Sequence, residues 1–152
     1  MILKEKEKAV IEDLHTQEQT CVEKYTRYEK QAKDPVLKDL FKRIKEEEQE
    51  HVNSLEKVLQ GNVPQVDCND NSGEKYEPKA TYDAATENED KKSDCFLATD
   101  CIGTEKLVST EYNTNVFAFA DAAVRKLLAD IQIEEQNHAQ MLYKYKTVNG
   151  MA

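Results

Sequence analysis

The chain has 152 residues and a net charge of −9, and 34% of its residues are charged while only 7% are aromatic. This length suits a single domain over residues 1–152, and the few Gly and Pro residues favour long helices over a sandwich or barrel. The acidic balance excludes a nucleic-acid binder, because phosphate contacts need clustered Lys and Arg. The absence of a long apolar stretch or signal-peptide segment predicts no membrane association and a cytoplasmic location.

Two helices are predicted in the first 60 residues. Apolar residues recur every three or four positions from about residue 3 to 33, which indicates a buried helix face. Asp34 suits a helix N-cap and Pro35 suits the first helical position, so a second helix is predicted over residues 35–60. Gly61 then ends this helix.

Residues 62–95 have a different composition. They hold two of the three prolines and nine acidic against four basic residues, with no sustained apolar period. A connection of this length is uncommon in a compact domain unless it has a structural or functional role. We expect it to cross from one end of a helical bundle to the other, which would make the second and third helices parallel.

Two further helices are predicted after this connection. The third covers about residues 96–119, and the fourth covers residues 122–147 with Asp121 as its N-cap. Each has an apolar stripe with the spacing of a buried face. The predicted fold is therefore an all-α four-helix bundle with a long crossover between its second and third helices.

One pattern of four residues occurs twice, 87 residues apart. In each copy a tyrosine lies seven residues after a glutamate, and a Glu-x-x-His begins thirty residues after it: Glu18, Tyr25, Glu48 and His51, then Glu105, Tyr112, Glu135 and His138. Positions i and i+3 share a helix face, so each Glu-x-x-His directs a carboxylate and an imidazole to one point. Two lone glutamates and two such pairs form the ligand set of a dinuclear carboxylate site.

The six glutamates and histidines of this pattern fall on the apolar stripes of their helices. A single glutamate on a charge-rich helix is most often solvated. Four carboxylates and two imidazoles on inward positions are costly, however, unless they are protonated, paired or bound to cations. Two divalent ions would balance the four carboxylates. The sequence therefore predicts a two-metal site that holds iron or manganese. Zinc is an alternative, because the spacing of the residues does not distinguish zinc from the other two metals.

Three polar side chains besides the six predicted ligands bear on the site: the two tyrosines of this pattern and one nearby histidine. Tyr25 and Tyr112 are each two turns, about 10 Å, from the glutamate on their own helix. Each is expected either to donate a hydrogen bond to a ligand carboxylate on another helix or to pack in the core. His15 lies one turn before Glu18, but its equivalent in the second copy is Ile102, so a surface histidine is predicted.

These features resemble the ferritin-like superfamily, in particular its rubrerythrin, bacterioferritin and manganese catalase branch. The resemblance covers nearly the whole chain except residues 62–95. It implies an oxidoreductase that acts on peroxide, oxygen or ferrous iron, and a homodimer or higher homo-oligomer. It also implies ligand roles: terminal or bridging for Glu18 and Glu105, bridging for Glu48 and Glu135, and imidazole ligands for His51 and His138.

Two features differ from rubrerythrins. Residue 102 is isoleucine where rubrerythrins carry an additional glutamate, and the four cysteines contain no Cys-x-x-Cys pair for a rubredoxin-type iron. A peroxidase of this type would therefore need a separate protein as its electron donor.

The C-terminal half also resembles the spore-coat F-type proteins of endospore formers. The similarity runs from Leu97 through Glu105 and Tyr112 to the ending at residues 145–151. It implies a structural coat or assembly protein located in the spore coat, with thiols near the connection (Cys68 and Cys95) available for cross-linking. The two functions can coexist, because a metal site stabilises a bundle by neutralising its buried carboxylates.

Overall fold

The computed structural model describes residues 1–152 and contains helices but no strand, which confirms the all-α prediction. None of its helices combines the length and the apolar content needed to cross a membrane. In chain order the elements are α1 (Glu5–Gln31), α2 (Pro35–Leu59), the short α3 (Ser72–Lys75), α4 (Glu89–Asn115), a 3₁₀ turn (Val116–Ala118) and α5 (Ala122–Val148).

The four long helices pack as two antiparallel hairpins, α1 with α2 and α4 with α5. Across the hairpins, Tyr28 near the end of α1 donates to Asp100 in the first half of α4, while Tyr112 near the end of α4 donates to Glu18 in the middle of α1. Helices α1 and α4 are therefore antiparallel, and α2 and α4 run parallel, as expected for a crossover connection.

The interior consists of two apolar clusters separated by a polar layer. On α2, residues 37–44 belong to one cluster, and Leu55 and Val58 belong to the other. On α5, the apolar residues of 124–131 lie in the cluster of Leu55 and Val58, and those of 141–145 lie in the other cluster. The polar layer between them contains both Glu-x-x-His pairs.

Each hairpin is closed by an aspartate that caps its second helix. Asp34 accepts a hydrogen bond from the N–H of Val36 at 3.0 Å, and Pro35 occupies the first helical position. Asp121 accepts from the N–H groups of Ala123 and Val124 at 2.7 and 3.1 Å. The two aspartates lie 87 residues apart, so this cap belongs to the internal repeat.

The predicted bounds of the third helix were wrong at both ends. Helix α4 begins at Glu89 rather than at residue 96, so the crossover covers residues 60–88 instead of 62–95. It ends at Asn115 rather than at residue 119, because the chain tightens into the 3₁₀ turn. The apolar stripe continues past the end of the helix because Phe119 also packs in the core. The other predicted bounds differ by two residues or fewer.

The early start of α4 was missed because its inward face is polar there. Buried Lys91 donates to the carbonyl oxygens of Asp83 and Thr86 at 3.0 and 2.7 Å. Buried Asp94 accepts from the N–H groups of Lys33 and Asp34, both at 2.9 Å, and from a tyrosine hydroxyl of the crossover. These bonds fix the crossover to the ends of three helices without any apolar period.

The crossover lies along α5 and is held by polar contacts. The N–H of Gly73 donates to Asn137 Oδ1 at 3.0 Å, and Asn137 Nδ2 donates to the carbonyl of Asp70 at 3.0 Å. A Cβ atom at residue 73 would lie 2.9 Å from Asn137 Cα, so glycine is needed for this close approach. The connection thus covers the outside of α5 beside the polar layer.

Candidate metal centre

The six residues of the repeated pattern converge in the polar layer. One glutamate comes from α1, one from α4, and a Glu-x-x-His pair comes from each of α2 and α5. All six are at most 2% exposed: Glu18, Glu48, His51, Glu105, Glu135 and His138. Helical spacing explains the convergence, because each residue continues the inward stripe of its own helix.

The ligand atoms form two overlapping groups, in each of which all atoms lie within 4.8 Å of one another. Glu48 and Glu135 belong to both groups. The first group adds Glu18 and His51, and the second adds Glu105 and His138. Each group could hold one metal ion, with one imidazole and three carboxylates.

Glu48 lies between the two imidazoles. Its Oε2 is 3.2 Å from His51 Nδ1, and its Oε1 is 3.0 Å from His138 Nδ1. The two imidazole rings are stacked with their centroids 6.0 Å apart. Both histidines therefore present the same nitrogen, Nδ1, to the carboxylate cluster.

Four buried carboxylate oxygens in this cluster have no hydrogen-bond partner. They are Oε2 of Glu18, Oε2 of Glu105 and both oxygens of Glu135. Glu135 Oε1 lies 3.1 Å from His51 Nδ1, which is close enough for an ion pair but lacks hydrogen-bond geometry. Buried carboxylate oxygens are normally satisfied, so these four fit a cation better than a protein donor.

The cluster shifts the pKa of its carboxyl groups in opposite directions. Burial raises the pKa of Glu18 to about 8, and the carboxylate of Glu48 adds to this shift. Burial also raises the pKa of Glu135 well above its ordinary range, with help from Glu105 and Glu48. Burial alone would raise the pKa of Glu48 too, but the neighbouring carboxyl group of Glu18 and both imidazoles hold it well below its ordinary range.

The two histidines favour the protonated form. Burial alone would lower the pKa of His138, but the neighbouring Glu105 and Glu48 raise it to about 10. Burial is likewise outweighed at His51, where Glu18 and Glu134 raise the pKa well above its ordinary value. A histidine binds a metal ion as the neutral imidazole, and a glutamate binds it as the ionised carboxylate. Metal binding at this cluster would therefore release protons.

The two tyrosines of the repeat bind ligand carboxylates on the opposite helix. Tyr25 of α1 donates to Glu105 Oε1 at 2.5 Å, and Tyr112 of α4 donates to Glu18 Oε1 at 2.5 Å. Each glutamate thus has one oxygen held by a phenol and one oxygen free to bind a cation. The reciprocal bonds follow the internal symmetry of the chain.

Sequence reasoning missed one residue of the site. Glu134 bonds to His51 Nε2, the ring nitrogen that faces away from the carboxylate cluster. A carboxylate at this position fixes the ring orientation and tautomer of a histidine ligand. The internal repeat carried a signal, since Glu47 occupies the equivalent position in the first half. His15 belongs to neither ligand group, and its Nε2 lies 3.0 Å from a surface glutamate, Glu56.

Two openings reach the cluster from different sides. A cavity of about 280 Å³ between α4 and α5 has the candidate ligands Glu105 and Glu135 in its wall, together with Ser109 and Ala139. A larger cleft of about 440 Å³ lies under the crossover and reaches Glu134. Seven of the eight residues that line this cleft are polar, and four of them are acidic: Asp67, Asp70, Asp130 and Glu134.

The fold and the site define an all-helical protein with a buried cluster of four glutamates and two histidines. The Coat F domain family model matches residues 93–152, which include most of α4 and all of α5. This match confirms the spore-coat F-type resemblance of the C-terminal half. No curated protein and no solved structure matches the chain.

Proposed function

We propose that this chain is a spore-coat component whose four long helices form a ferritin-like bundle around two divalent metal ions. The coat assignment is supported by the Coat F domain match over residues 93–152. The metal assignment is carried by one observation, the four buried carboxylate oxygens that have no hydrogen-bond partner. Neither assignment depends on the other, so each can be tested separately.

The proposed ligand sets follow the two groups of atoms. Glu18 and His51 would complete one ion, and Glu105 and His138 would complete the other. Glu48 and Glu135 would contribute to both, because each belongs to both groups. Oxygen-rich sets with one imidazole per ion suit iron or manganese, and zinc also binds them.

In the coat, the ions would act first as structural elements. Four buried carboxyl groups with only two imidazoles beside them oppose folding, and two divalent cations would remove that cost. Two thiols, Cys68 and Cys95, are partly exposed, whereas Cys21 and Cys101 are buried. The partly exposed pair would be available for disulfide links between coat components.

The first test is metal content together with location. Protein purified without chelator or nickel resin is expected to carry close to two metal ions per chain by plasma mass spectrometry. Immunoblots of fractionated spores are expected to find the chain in the coat extract. Metal-free protein that also refuses iron, manganese and zinc on anaerobic reconstitution would contradict the metal assignment. Absence from the coat extract would contradict the coat assignment.

A second candidate function is an oxidoreductase, and the cavity between α4 and α5 favours it. Two proposed ligand residues, Glu105 and Glu135, lie in the wall of this cavity, which has room for molecules the size of peroxide or oxygen. Bound iron or manganese would supply a redox centre that accepts electrons from a donor protein, from ferrous iron or from a second peroxide and passes them to peroxide or oxygen. Tyr25 and Tyr112 would hold their carboxylates in place, and an iron peroxidase would need a separate electron-donor protein.

The cavity gives this candidate a specific test. Metal-loaded protein is expected to consume hydrogen peroxide faster than the same amount of free metal. Ala139→Phe should narrow the cavity and slow this reaction while the metal content stays unchanged. Ala123→Phe, at an exposed position on the same helix, is the control. Peroxide consumption no faster than that of free metal, with either iron or manganese, would contradict the enzymatic function.

A further inference from the structure

Helix α4 is apolar on its outward face as well as on its buried face. Phe96 is 66% exposed and Leu107 is 60% exposed. Gly103 lies between them on the same side of the helix, within about 40° of both at 100° per residue. The charged residues of this interval do not lie at the centre of the exposed face: Asp100 pairs with Lys24 of α1 at 2.6 Å, and exposed Lys106 lies about 80° from Phe96 around the helix. A helix with two apolar faces is typical of an element covered on both sides.

Gly103 indicates what kind of surface covers this face. Nothing lies within 4 Å of the position that its Cβ would take, so the fold of one chain does not require glycine there. Glycine in an exposed helix interior destabilises the helix relative to alanine. Close approach of a second helix backbone is a physical reason for a glycine at this position.

The exposed face is self-complementary under a two-fold axis. If the axis passes midway between residues 96 and 107, two antiparallel α4 helices bring Phe96 of each copy opposite Leu107 of the other. The same axis places the small residues Thr99 and Gly103 beside the crossing point. An interface of this kind uses one patch twice, as in most homodimers.

Charge supports the same register. The axis that pairs Phe96 with Leu107 also brings Lys92 of each copy to Glu111 of the other. Glu111 has no ion-pair partner within the chain, and Lys92 has only the exposed Glu89 at 3.5 Å. The pair of apolar contacts between Phe96 and Leu107 would therefore be bounded at each end by opposite charges from the two copies.

We propose that the outward face of α4 is the surface through which two copies of this chain pair antiparallel about a two-fold axis. The proposal goes beyond the metal site, because none of its residues is a proposed ligand. One helix pair buries on the order of 1,000 Å², near the lower limit for a specific interface. The dimer is therefore expected to dissociate on dilution.

Sedimentation velocity of the full chain, under reducing conditions to exclude disulfide links, tests the surface. The wild-type chain is expected to be dimeric at high micromolar concentration. Leu107→Glu is expected to be monomeric, with unchanged helical circular dichroism. Phe117→Glu, which replaces a 92% exposed aromatic outside this face, should leave the dimer intact. A monomeric wild-type chain, or a Leu107→Glu chain that still pairs, would overturn the proposal.

A charge exchange tests the register. Lys92→Glu and Glu111→Lys should each place like charges together at two symmetric positions and weaken pairing roughly three- to tenfold. The double variant restores opposite charges and should return the dissociation constant to near the wild-type value. A double variant that pairs no better than the weaker single variant would overturn the proposed register.

Discussion

Glu48→Gln is expected to remove both metal ions from each chain, whereas Glu18→Gln is expected to remove one. The reason lies in the two overlapping ligand groups, since Glu48 belongs to both and Glu18 to only one. The carboxylate of Glu48 also reaches both imidazoles, with one oxygen 3.2 Å from His51 Nδ1 and the other 3.0 Å from His138 Nδ1. An amide keeps one acceptor oxygen but loses the negative charge and the second acceptor.

Plasma mass spectrometry after reconstitution measures this difference as metal per chain. The expected series is near two for the wild-type chain, near one for Glu18→Gln and near zero for Glu48→Gln. Glu50→Gln is the matched control, because it makes the same chemical change at an exposed position on the same helix. Equal metal loss in the Glu18 and Glu48 variants would contradict the proposal that Glu48 contributes to both ions. Full loading of both would contradict the ligand assignment itself.

The positions of the six proposed ligands could be predicted from the sequence because local and repeated signals agree. Each ligand continues an apolar stripe of period 3.6, which fixes the helix face, and the 87-residue repeat fixes which residues correspond. Burial then follows without knowledge of the loops. The helix caps at Asp34 and Asp121 could be predicted equally well, since capping depends on residues close in sequence.

The parts that could not be predicted depend on contacts distant in sequence. The first turns of α4 carry buried Lys91 and Asp94, whose partners are backbone groups of the crossover and of the α1–α2 corner. No local pattern separates such residues from solvated charges. Glu134 has the same problem, because its partner, His51, is 83 residues away. The repeat identifies Glu47 as the equivalent of Glu134, but only the structure shows that Glu134 contacts a ring nitrogen of His51.

Glu135→Gln is expected to change stability in opposite directions with and without metal. In the metal-free chain the pKa of Glu135 is raised, so the folded state holds a proton that the unfolded state releases. Stability then falls as pH rises above the ordinary carboxyl value. Glutamine has no proton to lose, and its neutral amide adds no negative charge to the buried cluster. The metal-free variant should therefore melt a few degrees higher at pH 7 and further above wild type at pH 8.

Other groups of the cluster give the metal-free chain the same pH dependence, and Glu18 and His138 define its range. The pKa of Glu18 rises from 4.5 to about 8, so its contribution declines between those values as pH rises. The pKa of His138 rises from 6.5 to about 10, so its stabilisation is complete below pH 6.5 and is lost as pH rises towards 10. Both groups remain in the variant, so metal-free Glu135→Gln should also lose stability with pH, but less steeply than the wild type.

With metal the order reverses. A ligand present at a thousand times its dissociation constant stabilises a protein by about 4 kcal/mol, which corresponds to roughly 10 °C in a domain of this size. The wild-type chain should gain this amount, while Glu135→Gln, which lacks a shared ligand, should gain little. Thermal melting by circular dichroism at pH 6, 7 and 8, with and without manganese, measures all four states. If metal-free Glu135→Gln melts below the wild type at every pH, Glu135 is not an uncompensated buried acid, and the carboxylate cluster is stabilised by the protein alone.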